Sequence, residues 1–207
     1  MCTGAIIWAK ISEIVYGCSI RDTVKLGRTM VDLSCRVILE KSPGKIKIVE
    51  GILKEDCLKL YNEEIRSLVT KLRVAMDDGW TRLEKELIER RIRWFEENED
   101  NILRKLKGTD VEKAYRLLLM KIGIEESEAP IIEKSQNIVV FHSKNFCPVL
   151  EACKILELDT RNVCKAVFEK PSEELIKKID PKLRFIRNYK RIRPYTTYCE
   201  EIIKLEK

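Results

Sequence analysis

The first third of the chain alternates short apolar runs with polar loops. Residues 2–10 have the composition of a helix, whereas residues 12–17 and 45–51 have the length and pattern of strands that end in glycine. Residues 30–41 form an apolar stretch that fits a helix or a strand equally well. Strands that are separated by helical or loop connections predict a parallel sheet covered by helices.

The middle of the chain has a helical pattern. From about residue 58 to 106, apolar residues recur at intervals of three and four, and charged residues fill the positions between them. The sequence Asp-Asp-Gly at 77–79 predicts a break or kink in this helix. Gly108 predicts its end, and Thr109 predicts the start of a further helix that continues to about Ile122.

The last part of the chain mixes both patterns. Residues 129–142 predict a β-hairpin with a polar turn, and residues 183–192 predict a strand. Helices are predicted at 148–157, 160–169, 171–178 and 196–206.

These patterns predict two parts of different class. Residues 1–62 are expected to form an α/β segment, and residues 63–207 an α+β, largely helical domain. Within this domain, 63–106 would be the long charged helical region and 107–207 the remainder. The 44% of hydrophobic residues are enough to build a core, and the charged fraction of 36% suits solvated helices.

Net charge and hydropathy limit the classes of partner that this chain is expected to bind. The net charge of +6 is modest and its signs are interspersed, so we expect no nucleic-acid partner and favour a small-molecule substrate. Apolar runs are too short to cross a bilayer, and no signal-peptide pattern is found, so we expect a cytoplasmic protein without a membrane partner.

The opening stretch, MCTGAIIWAKISEIVYG, resembles the second half of the zinc-binding signature of the cytidine deaminase-like superfamily, in its guanine-deaminase and tRNA-adenosine-deaminase branches. Cys2 matches the second cysteine of the P-C-x-x-C motif. Ile6 to Ala9 match the helix that follows, and Ile14 to Gly17 match a strand. The similarity continues through residues 45–61, which match a later strand and the C-terminal helix of the family.

This resemblance implies a truncated three-layer deaminase sandwich. The family binds zinc through three protein ligands, whereas the chain has only Cys2 in a matching position and lacks the H-x-E motif. We therefore expect Cys2 to be an orphaned zinc ligand, no zinc to be bound there, and no deaminase activity in this chain. The uncovered sheet edge predicts a homo-oligomer that covers it.

The cysteines near the C-terminus suggest a second site. Pro148 predicts that Cys147 occupies a helix N-cap, where the helix dipole and free amides favour a thiolate. His142, the only histidine, ends a predicted strand nearby. Cys147 and His142 are therefore the best candidates for a nucleophile and its base.

The pattern FCPVLEAC…VCK…KIDPKLRF…RPYTTYCEE also resembles the L-2-amino-thiazoline-4-carboxylate hydrolase family. This resemblance implies hydrolysis of a C–N bond in a cyclic amidine acid. From the residues alone, three interpretations stay open: buried structural thiols, a catalytic Cys147, or a metal or iron–sulfur site. The metal site would use Cys147, Cys153, Cys164 and Cys199.

Basic and aromatic residues are mixed in residues 184–198. They fit a solvated strand face, an RNA-binding surface, or an anion site in which Arg184, Arg187 or Arg193 binds a substrate carboxylate. Three functions therefore remain: a fragment of a nucleobase or nucleoside deaminase, a thiazoline-carboxylate-type hydrolase, and a non-enzymatic cysteine-containing binding or sensing module.

Overall fold

A computed structural model describes residues 2–25 and 33–206, with the side chains of Cys2 and Lys25 left out. The chain divides into two compact units, residues 1–67 (unit 1) and 68–207 (unit 2). The described part mixes helix and strand, 54% and 15%, which agrees with the predicted mixed class at that coarse level. None of the helices in the described ranges is long and apolar enough to span a bilayer.

Unit 1 is built on two short strands. Its elements are α1 (Cys2–Trp8), β1 (Glu13–Tyr16), α2 (Ile20–Lys25), α3 (Cys35–Leu39), β2 (Lys47–Glu50) and α4 (Lys54–Lys59). Strands β1 and β2 pair in parallel, with Glu13 opposite Lys47 and Tyr16 opposite Glu50, so the predicted parallel pairing is confirmed. The ambiguous stretch 30–41 is helical at α3, and residues 30–32 lie outside the described residues.

Unit 1 buries few side chains. Among its described residues only Thr23, Leu39 and Ile65 are buried. By contrast, Trp8 is 89% exposed and Leu53 is 70% exposed. The described part of unit 1 therefore has little packing of its own. Because a two-stranded sheet needs further packing to be stable, we expect unit 1 to be marginally stable.

Three helices follow, and the predicted breaks between them are confirmed. α5 (Glu63–Asp78) and α6 (Trp80–Lys105) are separated at Gly79, whose φ of +89° and ψ of 152° favour glycine. α7 (Asp110–Ile122) begins with a capping box. There the Thr109 hydroxyl accepts from the Glu112 amide, and the Thr109 amide donates to the Glu112 carboxylate.

The rest of unit 2 is a four-stranded antiparallel sheet with helices between its strands. The strands are β3 (Ile131–Lys134), β4 (Ile138–Ser143), β5 (Leu183–Arg187) and β6 (Cys199–Leu205). Their spatial order is β3-β4-β6-β5, so β6 lies between two partners. The predicted hairpin is confirmed as β3–β4. The strand predicted at 183–192 is confirmed only over 183–187, as β5, and residues 188–192 are not in a strand.

The predicted helix at 196–206 is wrong, because residues 199–205 form β6. Five of the eleven residues at 196–206 are Glu, Lys or Leu, which favour helices. In the fold, Glu201 and Ile203 are buried while Glu200, Ile202 and Lys204 are only partly buried, which is the alternation of a strand. Pairing with strands on both sides outweighs the local helix propensity.

The helices between β4 and β5 also differ from prediction. α8 (Pro148–Ile155) was expected, but α9 (Thr160–Val163), a π-helical segment (Cys164–Phe168) and α10 (Glu169–Ile176) follow one another without a break. Pro171 has no amide hydrogen and cannot close an α-helical turn with Val167. The wider turn, in which the Glu169 amide donates to the Cys164 carbonyl, lies directly before that proline.

The core of unit 2 lies between the sheet and α6, α7 and α10. One face of the sheet contributes Val139, Phe141, Phe185 and Ile203, all nearly or fully buried. Tyr115 of α7 packs edge-on against Phe141 and donates its hydroxyl to the Ala129 carbonyl at 2.7 Å. This face is called the inner face below.

Candidate functional site

The inner face of the sheet becomes polar at one end. In β4, Val139 and Phe141 are followed in the same phase by Ser143. In β5, Leu183 and Phe185 are followed by Arg187, and the strand register places Arg187 opposite Glu201 of β6. The side chains that continue the inner face are therefore ionic and hydroxylic at this end.

Arg187 and Glu201 form a buried ion pair. The Arg187 Nε and Nη2 groups both donate to Glu201 Oε1, at 2.9 Å for Nε, and Ser143 Oγ donates to Glu201 Oε2 at 2.7 Å. Only 12% of the Arg187 side chain and 9% of the Glu201 side chain are exposed. Burial opposes the charged guanidinium, but the attraction of Glu201 outweighs it and the pKa of Arg187 is raised.

A second arginine approaches the ion pair from α6. Arg91 falls between the buried residues Leu87 and Phe95 at helical spacing, and its Nη1 donates to Ser172 Oγ of α10 at 2.8 Å. Burial, then the positive charges of Arg187 and Arg90, lower the pKa of Arg91 to about 10. The two guanidiniums therefore repel each other across a site where Glu201 is the attracting carboxylate.

Glu169 and Tyr189 border the cluster. Tyr189 donates its hydroxyl to Glu169 Oε2 at 2.5 Å, and the Arg187 backbone amide lies 3.4 Å from the same oxygen. Burial and then the hydrogen bond to Glu169 raise the pKa of Tyr189. This phenol is accordingly a hydrogen-bond donor at neutral pH.

Several thiol groups of unit 2 interact electrostatically with one another and with Arg187 at this polar end. Cys147 is the N-cap of α8, as predicted, and it interacts electrostatically with Arg193, Cys199 and Arg187. Burial raises the pKa of the Cys147 thiol, although the Leu150 amide and both arginines favour the thiolate. The expectation of a stabilised thiolate is therefore wrong in direction, because desolvation is the larger effect.

Cys153 and Cys164 are buried thiols. Burial raises the pKa of Cys153 to about 11 and that of Cys164 to about 12. Their electrostatic interactions with Cys147 show that these cysteines lie in one region, and Cys164 also interacts with Cys199. Protonated, desolvated thiols of this kind act as small apolar groups.

The donor set does not fit a metal ion in this arrangement. Within residues 2–25 and 33–206, no three side chains of His, Cys, Asp or Glu are gathered where they could hold one. Cys147, Cys153, Cys164 and Cys199 therefore share a region without forming a four-thiolate site. The Cys2 side chain, the expected orphaned zinc ligand, lies outside the described residues.

The three candidate arginines occupy different places. Arg193 donates from Nη1 to the Asn145 carbonyl, while its buried Nε has no hydrogen-bond partner among the described residues. Arg187 belongs to the buried cluster, as described above. Arg184 lies elsewhere, with 35% of its side chain exposed and its Nε 3.1 Å from Glu206 Oε2.

His142 lies away from the cluster. Its neighbour Ser143 contacts Glu201 on the inner face, so strand alternation turns His142 to the opposite face. There its Nε2 is 3.2 Å from Glu200 Oε2, and its ring stacks on Tyr198 with the centroids 3.8 Å apart. The structure therefore does not bring His142 and Cys147 together as a base and a nucleophile.

Two central residues of the cluster were not identified from the sequence. Arg91 lies in the charged helix, but its spacing of four from Leu87 and Phe95 places it in the apolar stripe. Glu201 lies in a segment predicted as helix. Only in a strand over residues 199–205 does it alternate onto the same face as the buried Ile203. In both cases the sequence feature that could identify the residue is a charged side chain at the spacing of the buried apolar residues.

The arginines of the cluster can accept an anion, and among the described residues its thiols are not paired with His142, which lies on the other face of the sheet. The buried part of the cluster combines two repelling guanidiniums, those of Arg91 and Arg187, with the Glu201 carboxylate that binds Arg187, and the buried Nε–H of Arg193 has no partner among the described residues. Comparisons with family models, with curated proteins and with solved structures found no match.

Proposed function

We propose that unit 2 is a non-enzymatic binding module for a small organic anion, a carboxylate, at the cluster of Arg91, Arg187 and Arg193. The observation that carries this proposal is that three arginines stand against two carboxylates, Glu201 and Glu169. Arg91 and Arg187 are desolvated beside each other, and Arg187 is hydrogen bonded to Glu201 whereas Arg91 is hydrogen bonded to the neutral Ser172 hydroxyl. Burial, and then the charges of neighbouring arginines, lower the pKa of Arg91, and a bound anion would offset both by favouring the charged guanidinium.

The geometry around Arg193 indicates where the ligand binds. Its Nε–H is buried and unpaired, and a buried donor without an acceptor costs about 1–3 kcal/mol. Cys147 interacts electrostatically with both Arg193 and Arg187, which supports a ligand site near all three residues. A carboxylate would fit this arrangement because guanidinium N–H groups pair with its two oxygens.

A thiazoline-carboxylate-type hydrolase is the second candidate, and the position of Cys147 beside two arginines favours it. Binding alone accounts better for the raised pKa of Cys147, because an attacking thiol acts as its thiolate. An anion bound nearby would raise that pKa further. His142, on the other face of the sheet, offers no help as a base.

The test is calorimetric titration with L-2-amino-thiazoline-4-carboxylate and with its methyl ester. We expect the acid to bind and the ester to bind at least about tenfold more weakly, because a hydrogen bond to a charged group contributes about 1.5–3 kcal/mol. Arg193→Gln should weaken binding of the acid by a similar factor. Arg184→Gln is the matched control, because Arg184 pairs with Glu206 outside the cluster.

Equal binding of acid and ester, or no binding of either, would contradict the proposal, as would an equal loss in Arg184→Gln. Incubation of the acid with the protein separates the two candidates. Binding without turnover supports the module, whereas turnover that is lost in Cys147→Ala favours the hydrolase.

We propose for unit 1 a common ancestry with the zinc-dependent deaminases, without their activity. The supporting observation is that the segments matched to family strands and helix are β1, β2 and α4. We expect purified protein to contain no stoichiometric zinc and to leave guanine, cytosine and adenosine unchanged. Turnover with one bound zinc would contradict this.

A cytoplasmic location and a homo-oligomer that covers the sheet edge of unit 1 stay predictions. Exposed apolar side chains, among them Trp8 and Val15, support the second. Sedimentation of the full chain would test it, and a monomer at all concentrations would contradict it.

A further inference from the structure

Unit 1 contains two cysteines that the fold brings near each other. Cys18 lies two residues after the end of β1, and Cys57 lies in α4. The two thiols interact electrostatically, and burial together with Cys57 raises the pKa of the Cys18 thiol. The Cys18 thiol also lies 3.5 Å from the carbonyl of Lys54, the first residue of α4.

Gly17 makes this approach possible. A Cβ atom at Gly17 would lie 2.1 Å from Cys57 Sγ and 2.9 Å from Cys57 Cβ. The Cys57 thiol therefore packs directly on the backbone that precedes Cys18, in the space that any other residue would fill. The position of the Cys57 thiol next to residue 18 thus depends on glycine at position 17.

Both thiols are accessible. Cys18 and Cys57 are half-buried, and their hydrogen bonds to Lys54 and Ile52 lie at exposed positions. Cys153 and Cys164 in unit 2 are buried by comparison. A small oxidant therefore reaches the pair in unit 1 more easily than these two thiols.

We propose that Cys18 and Cys57 form a redox-active dithiol that closes to a disulfide between the end of β1 and α4. With glutathione disulfide as oxidant, one protein thiolate attacks a glutathione sulfur and releases one glutathione. The second protein thiolate then attacks the mixed disulfide and releases the other. Two thiols are oxidised, one glutathione disulfide is reduced to two glutathiones, and the protein thiol protons end on the glutathiones.

The disulfide would act on the part of the chain with the least packing. A covalent link between residues 18 and 57 closes most of unit 1 into one loop, in a unit where three described residues are buried. Such a link restricts the unfolded chain and so favours the folded one. The folded state of unit 1 is therefore more stable when the pair is oxidised, independently of any ligand in unit 2.

The full chain, equilibrated in glutathione buffers and quenched with acid, tests the proposal by peptide mapping. We expect a Cys18–Cys57 cross-linked peptide that lacks two hydrogens and whose fraction follows the ratio of squared glutathione to glutathione disulfide. Cys57→Ser should abolish it. Cys35→Ser is the matched control, because Cys35 is also half-buried in unit 1 but contacts Tyr16.

Gly17→Ala gives the sharper test because it keeps every thiol. The added Cβ must displace Cys57 Sγ, so the equilibrium constant for closing the disulfide should fall at least about tenfold. Hydrogen exchange of the reduced variant checks that unit 1 is still folded. If it is not, the comparison of Cys57→Ser with Cys35→Ser tests the proposal. Separate glutathione adducts on Cys18 and Cys57, a disulfide to Cys35 instead, or an unchanged constant in folded Gly17→Ala would overturn the proposal.

Discussion

Single residues decide the chemistry of unit 2, and the sequence reveals only some of them. Pro148 correctly predicts the N-cap position of Cys147, because that prediction depends on local backbone geometry. The protonation of the same thiol depends on burial, which is set by distant strands and helices. The mixture of basic and aromatic residues at 184–198 makes Arg187 a candidate. Its partner Glu201, and Ser143 which donates to Glu201, lie on other strands and cannot be identified from that stretch.

The burial of Glu201 predicts a large effect of its removal. Glu201→Gln leaves Arg187 in a buried place without its countercharge, and we expect a loss of about 3–5 kcal/mol in the free energy of unfolding of unit 2. Glu206→Gln removes the partner of Arg184, another arginine of β5, where the pair is exposed, and should cost under about 1 kcal/mol. Urea unfolding measures both, and similar losses would contradict the buried role of Glu201.

Glu112 predicts a pH dependence. The Thr109 backbone amide, with Lys134, lowers the pKa of Glu112 from 4.5 to about 2. A carboxylate with a depressed pKa in the folded state stabilises the fold above its unfolded pKa, and this contribution is lost as the pH falls from about 4.5 towards 2. Urea unfolding at pH 5 and pH 3 should show a smaller loss of stability in Glu112→Gln than in the unchanged protein. Equal losses in the two proteins would contradict it.

Helices whose ends are set by nearby residues were predicted correctly from the sequence. Strand β6, which depends on pairing with distant strands, was not. Gly79 and the Thr109 capping box set helix ends from within a few residues, so α5, α6 and α7 were predictable. Residues 199–205 have helix-forming composition but become the central strand β6. No pattern within residues 196–206 reveals the two strands that pair with them.

Two neighbouring isoleucines test the strand. Ile203 is fully buried on the inner face, so Ile203→Ala should cost about 2–5 kcal/mol of unfolding free energy. Ile202 lies on the opposite face and is partly exposed, so Ile202→Ala should cost clearly less. Chemical unfolding of both variants provides the comparison, and the reverse order would contradict the assigned strand phase.

At the scale of the whole molecule, the two units differ in packing. Unit 2 holds a continuous core of side chains from α6, α7, α10 and the sheet, whereas unit 1 buries three of its described residues. The change from short apolar runs to long periodic helices already marked a change of class near this point in the sequence. The depth of packing in each unit was not visible, because it depends on which faces meet.

This difference predicts uneven hydrogen exchange. Amides of β1, β2 and α4 should exchange faster than those of β4, β6 and α7, because local opening in unit 1 exposes little apolar surface. Mass spectrometry of peptides from the full chain measures both sets in one sample. Slower exchange in unit 1 than in unit 2 would show that its strands are covered, as a homo-oligomer would do.

The central place of β6 has a consequence for the order of folding. β5 and β6 are close in the sequence, but β4 ends at Ser143 and its partner β6 begins at Cys199, so this pairing must close a long loop. Contacts between distant segments form slowly, because the entropy of loop closure is lost before the contact is made. Helices α6 and α7 and the β3–β4 hairpin are made of local contacts and should form early. The sheet, and with it the site around Arg187 and Glu201, is then completed only in the last step of folding.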